Sequence, residues 1–207
     1  MINSEPSFEL FDTPYPHHVI SGLISAADLG RLNAETPSWD LFRRLVKEGA
    51  EHDKHYRMWL MDLYDERGLA AGTEKLPEAW GELLDDLLAP EFARTLSAGL
   101  GVDLDGLGLT LGIYRYVDGD YTSVSLGKSS KVVHLALYLN DSWTAEEGGH
   151  MHLWSAADAA EPAKSIVPVG GTAAVMSPSD RTWHNIGEIT TGSDKDRINI
   201  MVEYWRN

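Results

Sequence analysis

The chain has 207 residues and no cysteine, which excludes a disulfide scaffold, a thiolate zinc site and a cysteine nucleophile. Its 17 basic and 32 acidic residues give a net charge of −15, and so acidic a surface repels phosphate backbones, so we expect no nucleic-acid partner. No apolar run approaches the roughly 18 residues of a membrane span, and the first residues lack a basic, apolar targeting signal, so we expect a cytoplasmic protein without membrane association.

The first 107 residues are predicted to be mainly helical. Ser25 is a typical helix cap, and Leu29 and Leu32 after it share one helix face. Proline favours the first turn of a helix, which places two more helix starts in this half. In chain order, helices are predicted after Ser25, at 39–46, at 58–64, from Pro77 and from Pro90.

After residue 107 short β-rich runs alternate with glycine, aspartate or serine. Their spacing is typical of a sandwich or barrel. The runs are 109–117, 131–140, 148–154, 164–169, 171–177, 183–190 and 197–205. The sequence therefore predicts one domain over 1–207, with 1–107 as a mainly helical support and 108–207 as a β core.

Four of the eight histidines lie in or beside these predicted strands. Histidine is the commonest metal ligand, so imidazoles that converge in a barrel would form a plausible site. His134 shares a strand face with Tyr138, where a core histidine and a functional one are equally plausible. His150 and His152 point the same way, which suits either a metal or a solvated outer face. His184, beside Trp183, is the strongest candidate.

Six segments of the second half occur in a characteristic order. They are RYVDGDY at 115–121, LALYLND at 135–141 followed by Trp143, EEGGHMHLW at 146–154, IVPVGGTAAVMSP at 166–178, WHNI at 183–186 and RINIMVEYW at 197–205. This order resembles the Fe(II)/2-oxoglutarate-dependent oxygenases of the prolyl-4-hydroxylase-like branch. The resemblance implies an α+β protein: a double-stranded β-helix (jelly-roll, cupin-like) core with an N-terminal helical support layer.

The resemblance also assigns individual residues. His184 matches the distal iron-binding histidine. Arg197 matches the arginine whose guanidinium forms a bidentate pair with the distal carboxylate of 2-oxoglutarate, a geometry that suits its planar fork. Tyr138 and Tyr116 match positions that line or hydrogen-bond this co-substrate.

The proximal part of the iron site departs from the family pattern. The positions of the family's His-x-Asp fall on Ser125 and Gly127, and residues 121–133 contain no histidine, aspartate or glutamate. Catalytic metals are typically held by three protein ligands, so this departure puts Fe(II) binding in doubt.

His134 is a candidate replacement ligand. If Tyr138 faces the barrel interior as in the family, His134 on the same strand face does too. A metal site of His134 and His184, completed by 2-oxoglutarate or water, is therefore one prediction. By the same resemblance Met151 faces inward, so that His150 and His152 face away.

Three functions remain open from the sequence. The first is a noncanonical oxygenase that uses Fe(II) and 2-oxoglutarate to oxidise a small molecule, with His184 and His134 at the reaction centre. The second is a metal-independent cyclase, lyase or isomerase in which these histidines act as acid and base. The third is a non-catalytic binding relative. The negative charge favours a cationic or amino-acid-like small molecule as substrate. His52–His55 is predicted to be a charged, solvated helix face.

Overall fold

Antiparallel strands dominate the computed structural model of the protein, which describes residues 1–49, 54–192 and 195–206. The strands are β1 (Ser7–Phe11), β2 (His17–Ser21), β3 (Arg43–Lys47), β4 (Tyr56–Asp65), β5 (Gly68–Leu69), β6 (Gly108–Tyr116), β7 (Tyr121–Thr122), β8 (Lys131–Tyr138), β9 (Met151–Trp154), β10 (Lys164–Ile166), β11 (Ala173–Met176), β12 (Trp183–Ile186) and β13 (Arg197–Trp205). The helices are α1 (Ala26–Ala34), α2 (Glu78–Leu88) and α3 (Pro90–Leu100), with 3-10 turns at Trp39–Leu41, Thr73–Lys75 and Ala145–Glu147.

The strands form a large sheet and a small sheet. The large sheet has the order β1-β2-β11-β8-β13-β6-β4-β3, and β5 and β7 also pair with β4. The small sheet has the order β10-β9-β12. Aromatic and aliphatic side chains from both sheets pack together between them, among them Tyr138, Met151 and Ile186. The predicted α+β fold with a jelly-roll core is confirmed, and all seven runs predicted after residue 107 contain strands.

The three helices cover the other face of the large sheet. The Ser25 hydroxyl accepts a hydrogen bond from the Asp28 amide at 3.1 Å and so caps α1 as predicted. The helices from Pro77 and Pro90 also form, and α3 ends at Gly101, whose φ of 66° lies in the left-handed region that favours glycine. Leucines of the helices and the sheet form the main apolar core.

The helices predicted at 39–46 and 58–64 are wrong. Residues 43–47 form β3 and residues 56–65 form β4, which pairs with both β3 and β6. Short apolar runs fit a helix face and a buried strand equally well. Here the backbone groups of β6 are satisfied by hydrogen bonds to the neighbouring strand β4. Residues 1–107 therefore contribute β1–β5 as well as the helical layer.

Two further findings concern the sequence predictions. His52 and Asp53, the centre of the predicted charged helix face, lie outside the described residues. Within the described ranges, no helix has the length and hydropathy needed to cross a membrane.

Candidate active site

The interior between the two sheets brings His134 and His184 together. On β8, His134 alternates with Ala136 and Tyr138, which are fully buried between the sheets. The pairing of β12 with β9 sets His184 opposite Leu153, whose side chain lies in the same interior. The centroids of the two imidazole rings are 5.3 Å apart. The proximity that the sequence argument predicted is therefore present.

Hydrogen bonds fix the orientation of both imidazoles. The Nδ1–H of His184 donates to the carbonyl oxygen of Thr182 at 2.8 Å. The Nδ1–H of His134 donates to the Glu203 carboxylate at 2.8 Å. Since a carbonyl or carboxylate oxygen only accepts, the neutral form of each ring carries its lone pair on Nε2. Each Nε2 is then available for a proton or another ligand.

Burial keeps both imidazoles neutral at pH 7. Burial, together with the nearby His134, lowers the pKa of His184 to about 3. Burial also lowers the pKa of His134, although the hydrogen bond to Glu203 opposes this. For Glu203 burial opposes ionisation, but the hydrogen bond from His134 and the charge of Lys131 outweigh it and lower the pKa to about 2. This set of His134, His184 and Glu203 is called the histidine end below.

A second polar group lies at the start of β13. Arg197 is 0% exposed, and its Nη1 donates to the side-chain oxygen of Asn199. Its Nε and Nη2 have no hydrogen-bond partner among the described residues, and neither do Tyr138 Oη and Asn199 Nδ2. The guanidinium carbon lies 5.1 Å from the ring centroid of Tyr116 and 5.2 Å from that of Tyr138. These four residues are called the arginine end.

The arginine end and the histidine end are separated along β13. Arg197, Asn199 and Glu203 occupy alternate positions of β13 and so share its interior face. Arg197 and Glu203 are six residues apart, a Cα separation of about 20 Å at the usual rise of an antiparallel strand.

Ser125 and Gly127, to which the resemblance assigns the positions of the family's His and Asp ligands, lie beside His184. Ser125 and His184 exchange backbone hydrogen bonds of 3.0 and 3.1 Å. A Cβ atom on Gly127 would lie 3.7 Å from His184 Cε1 but only 2.9 Å from Pro178 Cβ, so an aspartate would require Pro178 to move. Among the residues that the structure describes, no group of three or more histidine, aspartate or glutamate side chains could hold a metal ion.

The other two histidines of the second half, His150 and His152, are half-buried and lie on the face of the small sheet opposite to Met151. Met151 is 1% exposed and packs between the sheets, as the resemblance implied. His150 and His152 alternate with it, and the ring Nδ1 of His152 lies 2.8 Å from the Ser165 hydroxyl.

Three residues near these groups were not predicted from the sequence. Asn199 and Glu203 could have been found, because they continue the alternation that Arg197 begins on β13. Lys131 joins His134 only because the register of β8 and β13 shifts beside it, which rotates a side chain to the other face.

Comparison with known proteins supports one family. The sequence model of the 2OG-Fe(II) oxygenase superfamily matches residues 114–205, which include His134, His184 and Arg197. The predicted resemblance is confirmed. Members of this superfamily in general depend on Fe(II) and 2-oxoglutarate. No curated protein sequence matches the chain significantly.

Solved structures of the superfamily share the fold. A Pseudomonas putida prolyl-4-hydroxylase is 17% identical with a TM-score of 0.56, covering 92% of each chain. A Phytophthora capsici prolyl 4-hydroxylase is 20% identical with a TM-score of 0.59, covering 91% of this chain and 58% of its own. A 2OG-Fe(II) oxygenase family oxidoreductase from Burkholderia pseudomallei is 17% identical with a TM-score of 0.56, and the match covers 87% of this chain and 78% of the other.

Proposed function

We propose that the protein is an enzyme that binds a dicarboxylate of the 2-oxoglutarate class at the arginine end and acts on a small molecule at the histidine end. The observation that carries this proposal is the buried guanidinium of Arg197, which has two nitrogens without partners among the described residues. A buried cation without a counter-ion costs several kcal/mol of folding free energy. A carboxylate would remove that cost, and it matches the guanidinium fork in a bidentate pair.

The neighbours of Arg197 fit the same ligand. Burial raises the pKa of Tyr138 to about 12, so its phenol keeps the proton and can donate a hydrogen bond. Asn199 Nδ2 is a second donor that has no partner in the described part of the chain. Three groups at this end are thus donors, and a carboxylate offers acceptors to all of them. Tyr116 contributes an aromatic wall beside the guanidinium.

The iron site of the family does not fit the residues present. Two imidazoles are available, but the position of the carboxylate ligand is Gly127, which Pro178 closes to a side chain. Glu203 is already engaged by His134 and Lys131. The proposed reaction therefore does not use iron, and the assignment of His134 and His184 as metal ligands stays a prediction.

The histidine end supports proton transfer. Glu203 holds the His134 ring through Nδ1 and directs its basic Nε2 away from the carboxylate, the arrangement that orients a general base in many enzymes. The neutral His184 beside it supplies a second acceptor. We assign His134 as the base and Glu203 as its positioning residue, in a metal-independent isomerase, lyase or cyclase reaction.

The second candidate is the oxygenase-type reaction at an altered metal site. The observation in its favour is that both Nδ1 atoms are occupied, which leaves both Nε2 atoms for a metal. Anaerobic Fe(II) titration with 2-oxoglutarate separates the candidates. We expect no visible charge-transfer band. A band that disappears in both His134→Ala and His184→Ala would favour the oxygenase instead.

Thermal unfolding in a chelator tests dicarboxylate binding. We expect 2-oxoglutarate to raise the Tm of the wild type, since a ligand that binds only the folded state stabilises it. Arg197→Met should lose this response while the ligand-free protein keeps or gains stability, by about 1 kcal/mol, because an unpaired buried charge is removed. The exposed Arg43, paired with Asp62, provides the control Arg43→Met, which should respond like wild type. A full response in Arg197→Met would refute the assignment.

A further inference from the structure

The small sheet carries two histidines side by side on the face that points away from the interior. His150 directly precedes β9 and His152 is the second residue of that strand, so both side chains project from the same face. Their ring centroids are 5.7 Å apart. Two imidazoles that share one Zn²⁺ ion at the usual Zn–N distance of about 2.0–2.1 Å have centroids about 5 Å apart in a tetrahedral complex. A small rotation of either ring therefore brings the pair to ligand geometry.

The ring of His152 leans toward His150 because Gly187 leaves room for it. Gly187 follows β12 and donates its backbone N–H to the carbonyl oxygen of His150 at 2.9 Å, so it lies directly across from His150. A Cβ atom on Gly187 would lie only 2.6 Å from His152 Nε2. The Nε2 atom thus occupies the space that a side chain at this position would fill, and it is directed along the sheet toward His150.

Both histidines offer an Nε2 lone pair. The Ser165 hydroxyl lies 2.8 Å from His152 Nδ1 and can accept a hydrogen bond from it, which leaves Nε2 unprotonated in the neutral ring. His150 Nε2 is buried and has no hydrogen-bond partner in the described ranges, although buried polar atoms ordinarily have one. Burial lowers the pKa of both imidazoles, so both are in the neutral form that binds metals at pH 7.

We propose that His150 and His152 bind a divalent transition-metal cation of the Zn²⁺ or Cu²⁺ class on the outer face of the small sheet. Imidazole nitrogens suit these ions, whereas Mg²⁺ prefers oxygen ligands. Water completes the coordination, because the residues that the structure describes supply no third histidine, aspartate or glutamate ligand. The net charge of −15 attracts cations to the protein. This site is independent of the proposed function, which uses the interior face.

Imidazole NMR with Zn²⁺ alone tests the site. In ¹⁵N-labelled protein free of other metals, we expect Zn²⁺ to shift the ring signals of His150 and His152 in a saturable way. The signals of the interior pair, His134 and His184, should stay in place. In isothermal titration Cu²⁺ should bind more tightly than Zn²⁺, and Mg²⁺ should not bind.

Three variants separate ligation from proximity. His152→Ala should lose the saturable response. Gly187→Ala should weaken it although both ligands remain, because the new methyl group displaces the His152 ring. That ring is the movable end of a side chain, so the variant should still fold. The control His55→Ala, at a histidine that bonds the Gly49 carbonyl oxygen, should respond like wild type.

Several outcomes would overturn the inference. They are the absence of a saturable shift at His150 and His152, full Zn²⁺ binding by a folded His152→Ala variant, and full binding by Gly187→Ala. Loss of the Zn²⁺ response in His134→Ala but not in His152→Ala would also overturn it, because the ion would then lie at the histidine end. None of these results bears on the response to 2-oxoglutarate, which is measured in a chelator.

Discussion

The two faces of the large sheet differ in how completely their groups are satisfied. Toward the helices, β8 presents Val133, Leu135 and Leu137, all buried in the main apolar core. Toward the small sheet, the same strand presents His134 and Tyr138, and Tyr138 lies beside the Arg197 guanidinium, two of whose nitrogens have no partner among the residues that the structure describes. Since successive side chains of a strand point to opposite faces, one strand serves both environments.

The difference indicates a division of labour within the sheet. Apolar burial on the helix-facing side stabilises the fold, at about 25 cal/mol for each Å² removed from water. The interior face keeps buried donors that have no partner within the described ranges. Such donors lower stability and are typical of a site prepared for a ligand. Substitutions on the helix-facing side should therefore lower stability. Substitutions of the unpartnered donors on the interior face should instead weaken ligand binding.

The largest effect is expected on the helix-facing side. Leu137 is 0% exposed, and Leu137→Ala should lower the free energy of unfolding by about 2–5 kcal/mol, through lost burial and the cavity left behind. Urea denaturation measures this. Val46→Ala, at an exposed valine of β3, is the matched control and should change it by less than about 0.5 kcal/mol. Equal losses for the two variants would contradict the role assigned to this face.

A smaller effect is expected where the family's carboxylate would lie. Gly127→Ala places a methyl group 2.9 Å from Pro178 Cβ, and a proline ring has little freedom to move. We expect a loss of about 1–3 kcal/mol, as for other overpacked sites. Gly81→Ala is the control, because a Cβ there meets no atom within 4 Å. A neutral or stabilising Gly127→Ala would show that the position is open to a side chain after all.

The smallest effect is expected in the pH dependence of the free energy of unfolding. His184 has a pKa of about 3 when folded and an ordinary value near 6.5 when unfolded. Between these values the unfolded chain binds an extra proton, so stability falls as the pH falls, by at most about 1.4 kcal/mol per unit. Denaturation between pH 6.5 and 5 should give a flatter dependence in His184→Gln than in wild type. Parallel curves would show that His184 is not buried in its neutral form.

The local sequence predicted much of the fold correctly. Ser25, Pro77 and Pro90 mark the starts of the three helices, because caps and first-turn prolines act through their immediate neighbours. The β-rich runs after residue 107 also formed strands. The runs at 39–46 and 58–64 were assigned to helices, because their apolar spacing does not reveal that β6 lies beside β4.

The sequence also predicted His134, His184 and Arg197 as site residues, and the resemblance placed the family's iron-binding His and Asp positions at Ser125 and Gly127. Alternation along β8 placed His134 on the face of Tyr138, and this is a local property.

Only the tertiary structure decided the remaining chemistry. It brought the ring centroids of His134 and His184 to 5.3 Å from each other and left Arg197 without a counter-ion among the described residues. Which strand lies opposite, and how deeply a charge is buried, depend on contacts between residues far apart in the chain. Period-2 alternation determines the face of a side chain, but the packing of the sheets determines what that face meets.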